Sequence, residues 1–240
     1  MNLFYSFEGF DGCGKGTQIK RVNDYLIEKG LDVYIAREPG STSDGEAIRK
    51  LLKRPGLTMS ILNNSEFKDH SDYNESPLDE NNLPVNKRHA LTEALLFLAA
   101  RSEFYRHIIK PRLEEGVIVI ADRFMDSTWA YQGYGRLKGD EKVLRFIEDA
   151  HSLILEEQYP IVTFFLDIQY NIMIERLAND GRDPNDLFES LPREFFERVR
   201  EGYFKLAERE PNRFQIIDGR LAPEEIFSKY IQLSLDERLS

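Results

Sequence analysis

A glycine-rich loop near the N-terminus, Gly9-Phe10-Asp11-Gly12-Cys13-Gly14-Lys15, constrains the fold of this chain more than any other segment. An aromatic-rich run at residues 3–7 precedes it, and apolar residues recur at helical spacing behind it. A strand, a glycine loop and a helix in that order are the context of a phosphate-binding loop, whose amides and helix N-terminus attract anions. A glycine-rich turn that binds nothing is the alternative. We predict that the following residues hold the phosphates of ATP, with Lys15 reaching the outer ones: Gly9, Phe10, Asp11, Gly12, Cys13, Gly14, Lys15, Gly16 and Thr17.

The end of this loop departs from the usual pattern. Many phosphate-binding loops have Ser or Thr directly after the lysine, and that hydroxyl binds Mg²⁺. Here the position is Gly16, and the first hydroxyl is at Thr17. The ending Lys15-Gly16-Thr17-Gln18 resembles that of adenylate kinases. Whether this loop binds Mg²⁺ directly is therefore left open.

Composition indicates a soluble enzyme rather than a nucleic-acid or membrane protein. The 240 residues are enough for one substantial core, and 41% of them are hydrophobic. A net charge of −10 disfavours non-specific nucleic-acid binding. The single cysteine fits a reducing compartment, and no apolar run approaches 18 residues. We expect a cytoplasmic protein with no nucleic-acid or membrane partner.

The order of elements predicts an α/β fold with a five-stranded parallel sheet flanked by helices. Strand patterns at residues 3–7, 31–36, 116–123, 161–167 and 213–218 alternate with helical patterns. We expect one kinase domain over residues 1–240. A polar segment at about residues 54–88 is interpreted as a long insertion, and residues 179–191, rich in charge, Gly and Pro, as a short lid.

Three charged residues lie where predicted strands end. Arg37 precedes a Pro-Gly turn after the second strand, and Asp122 and Arg123 follow the buried run at residues 116–121. Ligands bind at the carboxyl edge of open α/β sheets. Asp122 is placed like the carboxylate that holds the water shell of Mg²⁺, and Arg123 is suited to a phosphate.

The segments at residues 89–115 and 124–136 carry further candidates. In the first, Leu91, Leu95, Leu98 and Tyr105 form a stripe expected to face the core, and Glu93, Phe97 and Arg101 form a stripe on another face. Phe97 and Arg101 can stack on a flat ring and bond its edge; a core phenylalanine and a solvated arginine are the alternative. In the second segment, if it is helical, Ser127 and Tyr131 share a face, and Gly133 and Gly135 are expected to end the helix.

Four motifs together resemble the thymidylate kinases of the bacterial type. They are Phe7-Glu8-Gly9-x-Asp11-Gly12-x-Gly14-Lys15, Arg37-Glu38-Pro39-Gly40, Leu95-Leu96-Phe97-x-Ala99-Ala100-Arg101, and Asp122-Arg123-Phe124-x-x-Ser127-Thr128-x-Ala130-Tyr131-Gln132-Gly133. The resemblance covers nearly the whole chain except the insertion. It implies a P-loop nucleoside monophosphate kinase that transfers the γ-phosphate of ATP to dTMP, uses Mg²⁺ and forms a homodimer.

The resemblance also implies roles for individual residues. Arg37 and Arg123 would hold the dTMP phosphate, Phe97 would stack on thymine and Arg101 would bond its edge. Ser127 and Thr128 would lie along the base, Tyr131 and Gln132 would line the sugar side, and Asp11 would approach dTMP. Because Gly12 stands where the other type has an arginine, the lid residue Arg182 is the matching charge. Lys15, Arg182, Asp11 and Arg123 are therefore the implied catalytic residues, and Asp122 the implied magnesium residue. Leu187 replaces a second lid arginine.

Two other functions fit part of the pattern. Another nucleoside monophosphate kinase, such as an adenylate kinase, fits the loop ending, but the short lid and the motifs around Phe97 and Ser127 argue against it. A non-catalytic P-loop switch is the second alternative. Guanine-specific switches carry Asn-Lys-x-Asp, whereas Asn86-Lys87 is followed here by Arg88-His89.

Overall fold

The computed structural model describes residues 3–53, 88–180 and 191–239. Its centre is a sheet of five parallel strands in the order β2-β3-β1-β4-β5. The strands are β1 (Phe4–Glu8), β2 (Val33–Arg37), β3 (Ile118–Asp122), β4 (Val162–Asp167) and β5 (Phe214–Asp218). The predicted fold class, a five-stranded parallel sheet flanked by helices, is confirmed.

Helices connect the strands and cover both faces of the sheet. They are α1 (Lys15–Glu28), α2 (Ser43–Lys53), α3 (Ala90–Phe104), α4 (Lys110–Glu114), α5 (Met125–Ser127), α6 (Glu141–Leu155), α7 (Tyr170–Asn179), α8 (Arg193–Arg209), α9 (Pro223–Ile226) and α10 (Gln232–Leu239). Three π-helical segments continue α3, α5 and α9: Tyr105–Ile109, Thr128–Arg136 and Phe227–Ile231. None of the helices in the described ranges is long and apolar enough to cross a membrane.

Successive side chains of the central strands point to opposite faces of the sheet, so the hydrophobic core has one part on each face. In β1, Tyr5 and Phe7 pack into one hydrophobic cluster and Phe4 into the other. In β3, every residue from Ile118 to Ala121 is buried. A strand buried on both faces is a near-continuous apolar run, and that pattern in the sequence identified β3 correctly.

The strand register brings three sequence motifs to one edge. Asp122, at the end of β3, is aligned with Phe7 of β1 on one side and with Arg37 of β2 on the other. The backbone N–H of Arg123 donates to the carbonyl of Phe7 at 3.0 Å. Because parallel strands end at the same edge, the phosphate loop, the Arg37 turn and the Asp122-Arg123 pair become neighbours.

The core-facing stripe predicted for α3 is only half correct. Leu98 and Tyr105 are buried, but Leu91 and Leu95 are 37% and 47% exposed. The buried side of α3 is centred on Glu93, Ala94 and Arg101 instead, because the two charged side chains find polar partners inside the protein. A pattern based on apolar residues does not detect a buried face of this kind.

The glycines expected to end the helix after Ser127 do not end it. The π-helical segment runs on to Arg136, and both Gly133 and Gly135 are buried within it. A Cβ at Gly133 would lie 2.6 Å from a methyl carbon of Leu144, and one at Gly135 would lie 2.6 Å from the ring of Phe195. These glycines therefore allow α6 and α8 to pack closely against the segment.

Candidate active site

One cavity of about 190 Å³ opens at the carboxyl edge of the sheet. Its wall contains Asp122 and all nine side chains that the resemblance assigns to dTMP: Asp11, Arg37, Phe97, Arg101, Arg123, Ser127, Thr128, Tyr131 and Gln132. They come from the phosphate loop, β2, α3, β3 and the segment after β3, so residues far apart in the sequence share one site. Arg182 lies outside the described residues, as do Leu187 and most of the insertion.

The phosphate loop has the backbone geometry that its glycines were expected to provide. Gly9, Gly12 and Gly14 have φ angles of 133°, 74° and 100°. A Cβ at Gly9 would lie 2.4 Å from the carbonyl oxygen of Leu166 in β4, so no other residue fits there. Lys15 Nζ crosses the loop and donates to the carbonyls of Gly9 and Phe10 at 3.0 and 2.9 Å.

The N-terminus of α1 is left open to an anion. Its N-cap is Gly14, which has no side chain to accept a hydrogen bond from the first turn. The first N–H groups of a helix have no acceptor within the helix, and together with the helix dipole they favour phosphate. The residues present therefore fit a triphosphate.

Asp122 fits the role of a carboxylate that binds Mg²⁺ through water. Its Oδ1 is buried and has no hydrogen-bond partner among the described residues. No cluster of three or more metal-binding side chains occurs in the described ranges. Mg²⁺ is usually held by one or two carboxylates, several waters and the phosphates of the substrate.

Arg123 is held in place by its backbone as well as its side chain. Its φ angle is 68°, which is uncommon for a residue with a Cβ. The carboxylate of Glu8 fixes this turn by accepting from the N–H of Phe124 at 2.7 Å. The Arg123 guanidinium bonds to Asp11 at 2.8 Å and lies 5.1 Å from the ring centre of Tyr131.

Glu8 is a buried carboxylate that the sequence did not identify as part of the site. Besides the N–H of Phe124, it accepts hydrogen bonds from Ser127 Oγ at 2.6 Å and from the Tyr203 hydroxyl at 2.7 Å. Burial raises the pKa of Glu8, and the negative charge of Asp126 raises it further. Burial also raises the pKa of Tyr203. Tyr203 is on α8, nearly 200 residues away in the chain, so only the fold reveals this contact.

Arg101 is buried in the cavity wall and is already fully bonded. Its Nε donates to Glu38 at 2.8 Å, one terminal nitrogen contacts Thr128 at 2.6 Å and His151 at 2.8 Å, and the other contacts Glu38 and the carbonyl of Phe124. These contacts account for all five N–H groups of the guanidinium. To bond the edge of a base, Arg101 therefore has to give up or share one of these hydrogen bonds.

The partners of Arg101 have shifted pKa values. Burial raises the pKa of Glu38 to about 7, although the charge of Arg101 lowers it. Burial, with the charges of Arg101 and Arg213, holds the pKa of His151 well below its usual value. Because arginine only donates, the His151 nitrogen that faces it is an acceptor, and His151 is neutral. Neither residue was predicted as a site residue, since their contacts with Arg101 join segments 63 and 50 residues apart.

Two further arginines, one near the turn after Arg37 and one near the phosphate loop, were not predicted as site residues. Arg49 lines the cavity and donates to the carbonyl of Pro39 at 2.7 Å. Arg176, in the last turn of α7, donates to the carbonyl of Gly12 in the phosphate loop at 3.1 Å. Its position just before the predicted lid is a sequence signal that could have identified it.

Together, the parallel sheet, the phosphate loop at the end of β1 and the cavity beside that loop define a P-loop nucleoside monophosphate kinase. The family model for thymidylate kinase matches residues 7–66 and 78–230. A thymidylate kinase from Fervidobacterium nodosum is 37% identical over 231 residues, which is 96% of this chain and 98% of that protein. Another from Thermoanaerobacter sp. is 39% identical over 218 residues, 90% of this chain and 89% of the relative.

A solved structure is also similar. The crystal structure of thymidylate kinase from Ehrlichia chaffeensis matches with a TM-score of 0.63 and 31% identity, over 96% of this chain and 98% of that one. The chain therefore belongs to the thymidylate kinase family.

Proposed function

We propose that this protein transfers the γ-phosphoryl group of ATP to dTMP and releases dTDP and ADP. The observation that carries the proposal is the position of the cavity. It is lined by Asp11 of the phosphate loop, by two arginines suited to a monophosphate, Arg37 and Arg123, and by an aromatic side chain suited to a base, Phe97. An acceptor nucleotide bound there would have its phosphate beside the loop that would hold ATP.

On the acceptor side, the protein needs to bind and orient rather than remove a proton. The second pKa of a phosphate monoester is about 6, so the dTMP phosphate is largely a dianion at neutral pH. One of its oxygens forms the new P–O bond while the bond between the γ-phosphorus and the bridging oxygen breaks, and ADP takes the electron pair. Arg37 and Arg123 would hold the acceptor phosphate in line, and Asp11 would keep Arg123 in position.

On the donor side, positive charge has to meet the charge of the moving phosphoryl group. Lys15, the loop amides and the N-terminus of α1 would supply it. Asp122 would hold the water shell of a Mg²⁺ ion, which neutralises part of the charge on the triphosphate oxygens when it is bound. Arg182 would add a guanidinium from the lid. That role rests on the resemblance alone, because Arg182 lies outside the described residues.

The test is a coupled assay of ADP formation with dTMP, dUMP, AMP, CMP and GMP as acceptors. We expect dTMP to be used best and ADP release to depend on an acceptor. Turnover of AMP well above dTMP would contradict the proposal in favour of an adenylate kinase-like enzyme. GTP outcompeting ATP in a binding assay, without turnover of any acceptor, would favour a nucleotide switch.

We further propose that the chain is a single kinase domain, with an insertion at about residues 54–88 and a lid at about 179–191, and that it acts as a cytoplasmic homodimer. The outer side of α3 supports the homodimer, since it exposes Leu91 and Leu95. Light scattering during gel filtration should give twice the chain mass. A monomer at micromolar concentration would contradict this part of the proposal.

A further inference from the structure

Gln132 lies in the wall of the cavity, and its side-chain amide bonds to a residue outside the cavity lining. Gln132 is 2% exposed, and its Nε2 lies 3.0 Å from Oε1 of Glu93 on α3. Glu93 is also buried and does not line the cavity itself. The same carboxylate oxygen lies 3.3 Å from Nε of Arg136, so its charge has a partner.

This contact fixes which end of the amide faces the cavity. The oxygen and nitrogen of a glutamine amide look nearly alike, and their assignment depends on the hydrogen-bond partners. An ionised carboxylate only accepts, so the atom of Gln132 that faces Glu93 has to be the nitrogen. The amide oxygen of Gln132 then points the other way. It accepts no hydrogen bond from the described residues, and Gln132 lines the cavity.

The position of Gln132 places this oxygen near the predicted base. Gln132 is about one helical turn from Thr128, and Glu93 is one turn from Phe97. Thr128 Oγ1 accepts from Arg101 at 2.6 Å, which leaves the hydroxyl hydrogen of Thr128 to be donated. The wall thus offers an acceptor at Gln132 and a donor at Thr128.

We propose that Glu93 is a positioning residue for base specificity: by holding the Gln132 nitrogen, it presents the Gln132 oxygen to the base and so selects a ring that carries an N–H at that point. The imide N3–H of thymine or uracil meets this requirement. The N3 of cytosine carries a lone pair instead of a hydrogen and would face the Gln132 oxygen unpaired. Gln132 would then read the edge of the base rather than line the sugar. The inference rests on the proposed function, because it concerns the acceptor nucleotide of that reaction.

The test compares dUMP with dCMP, since neither has the thymine methyl group and they differ only at the ring edge. In the wild type, kcat/KM for dUMP should exceed that for dCMP by at least tenfold. In Glu93→Gln, the new amide can pair with Gln132 in either orientation, so Gln132 is free to turn. The ratio of dUMP to dCMP should therefore fall by tenfold or more, and the KM for ATP should stay within twofold. The variant Glu93→Asp keeps the carboxylate and should retain part of the preference.

A matched control is available on a neighbouring helix. Glu148 on α6 accepts from the Trp129 indole nitrogen at 3.1 Å, in the same π-helical segment as Gln132, but it does not line the cavity. Glu148→Gln should leave the dUMP to dCMP ratio unchanged. An equal change in both variants would show that any loss of charge around the segment has this effect, and the inference would be wrong.

Failure of the inference and failure of the proposed function give different results. If the wild type uses dTMP best but accepts dCMP as readily as dUMP, the inference is wrong and the function stands. The same holds if folded Glu93→Gln keeps the wild-type ratio. If Glu93→Gln does not fold, Glu93→Met provides the same test, because it fills the space without accepting a hydrogen bond. If dTMP is not the preferred acceptor at all, the proposed function is wrong.

Discussion

The guanidinium of Arg123 and the carboxylate of Asp11 lie 2.8 Å apart and join the end of β3 to the phosphate loop. One member of the pair belongs to the segment predicted to hold dTMP, and the other to the segment predicted to hold ATP. The pair therefore joins the two predicted binding segments through one ionic contact. Since Asp11 is 44% exposed, we ascribe to the contact a role in orientation rather than in stability.

Arg123→Ala should lower kcat/KM for dTMP by at least a hundredfold while ATP binding changes little. The physical reason is loss of a charged, two-pronged contact with the acceptor phosphate. Arg123→Lys should recover only part of the activity, because an ammonium group does not bridge two phosphate oxygens. Steady-state kinetics with each substrate varied measures both effects. The exposed Arg145, paired with Glu141, is the control, and a similar loss in Arg145→Ala would contradict the assignment.

Phe97→Ala should weaken the use of dTMP far more than the binding of ATP. Losing an aromatic ring that stacks on a base costs roughly 1–3 kcal/mol, which corresponds to about 5- to 150-fold in KM. Phe146 on α6 is 40% exposed and does not line the cavity, so Phe146→Ala serves as the control. Isothermal titration of each nucleotide separates the two substrates. An equal loss of ATP binding in Phe97→Ala would argue against a base-stacking role.

Glu38 should make the stability of the protein depend on pH between 4.5 and 7. Its pKa is raised from 4.5 to about 7, so in this window the folded protein holds a proton that the unfolded chain has lost. The contribution of Glu38 to the free energy of unfolding therefore falls as the pH rises through this window. A Glu38→Gln variant has no such proton. The difference in free energy of unfolding between the wild type and Glu38→Gln should change by about 3 kcal/mol between pH 4.5 and 7. The wild type should be relatively more stable at the low end of this range.

Urea denaturation of the wild type and Glu38→Gln at pH 5 and pH 8 tests this expectation. Both proteins share every other titrating group, so subtracting the two curves isolates Glu38. If the difference between them is the same at the two pH values, Glu38 keeps an ordinary pKa and its charge is fully balanced by Arg101.

Arg182→Ala should lower kcat on the order of 10³-fold while the apparent affinity for dTMP stays nearly unchanged. The reason is that the phosphate loop offers Lys15 but Gly12 where an arginine could have stood. Arg176 is not a neutral control, because it donates to the carbonyl of Gly12. Arg193, exposed and paired with Glu197, is a better one. If Arg182→Ala keeps a near-normal kcat while Arg176→Ala loses most of it, the catalytic charge would be assigned to Arg176 instead.

Replacing residues 63–82 with a short Gly/Ser linker should leave the core folded. Changing the length of a loop costs only about 0.6 kcal/mol per doubling, because closure entropy varies slowly with length. The melting temperature, followed by circular dichroism, should stay within a few degrees of the wild-type value. Loss of solubility or a large fall in melting temperature would show that the segment contributes to the packed structure.

The sequence was sufficient for the sheet and for the wall of the cavity, but not for the contacts behind that wall. The buried run of β3 and the glycines of the loop are local signals, and they predicted Asp122, Arg123 and Lys15 at one edge of the sheet. Arg101 was assigned to the site by the family resemblance, because its spacing to Phe97 alone also fitted a solvated arginine. Its partners Glu38 and His151 were not, because polar residues that satisfy one another inside a protein leave no periodic pattern. For the same reason, Leu91 and Leu95 were placed inside and Glu93 was not recognised as a buried residue.

Arg88, at the end of the insertion, contacts the helix that precedes it, since its guanidinium donates to the carbonyl of Leu51 in α2 at 2.6 Å. Since β1 and β2 both pair with β3, we expect the sheet to hold together without a continuous chain between α2 and α3. A protease that cuts once between residues 54 and 87 should leave two pieces that run as one particle on gel filtration and separate only in denaturant. The first piece would carry the phosphate loop and Arg37, and the second would carry Phe97 and Arg123. The same site could accept new chain ends in a circularly permuted protein.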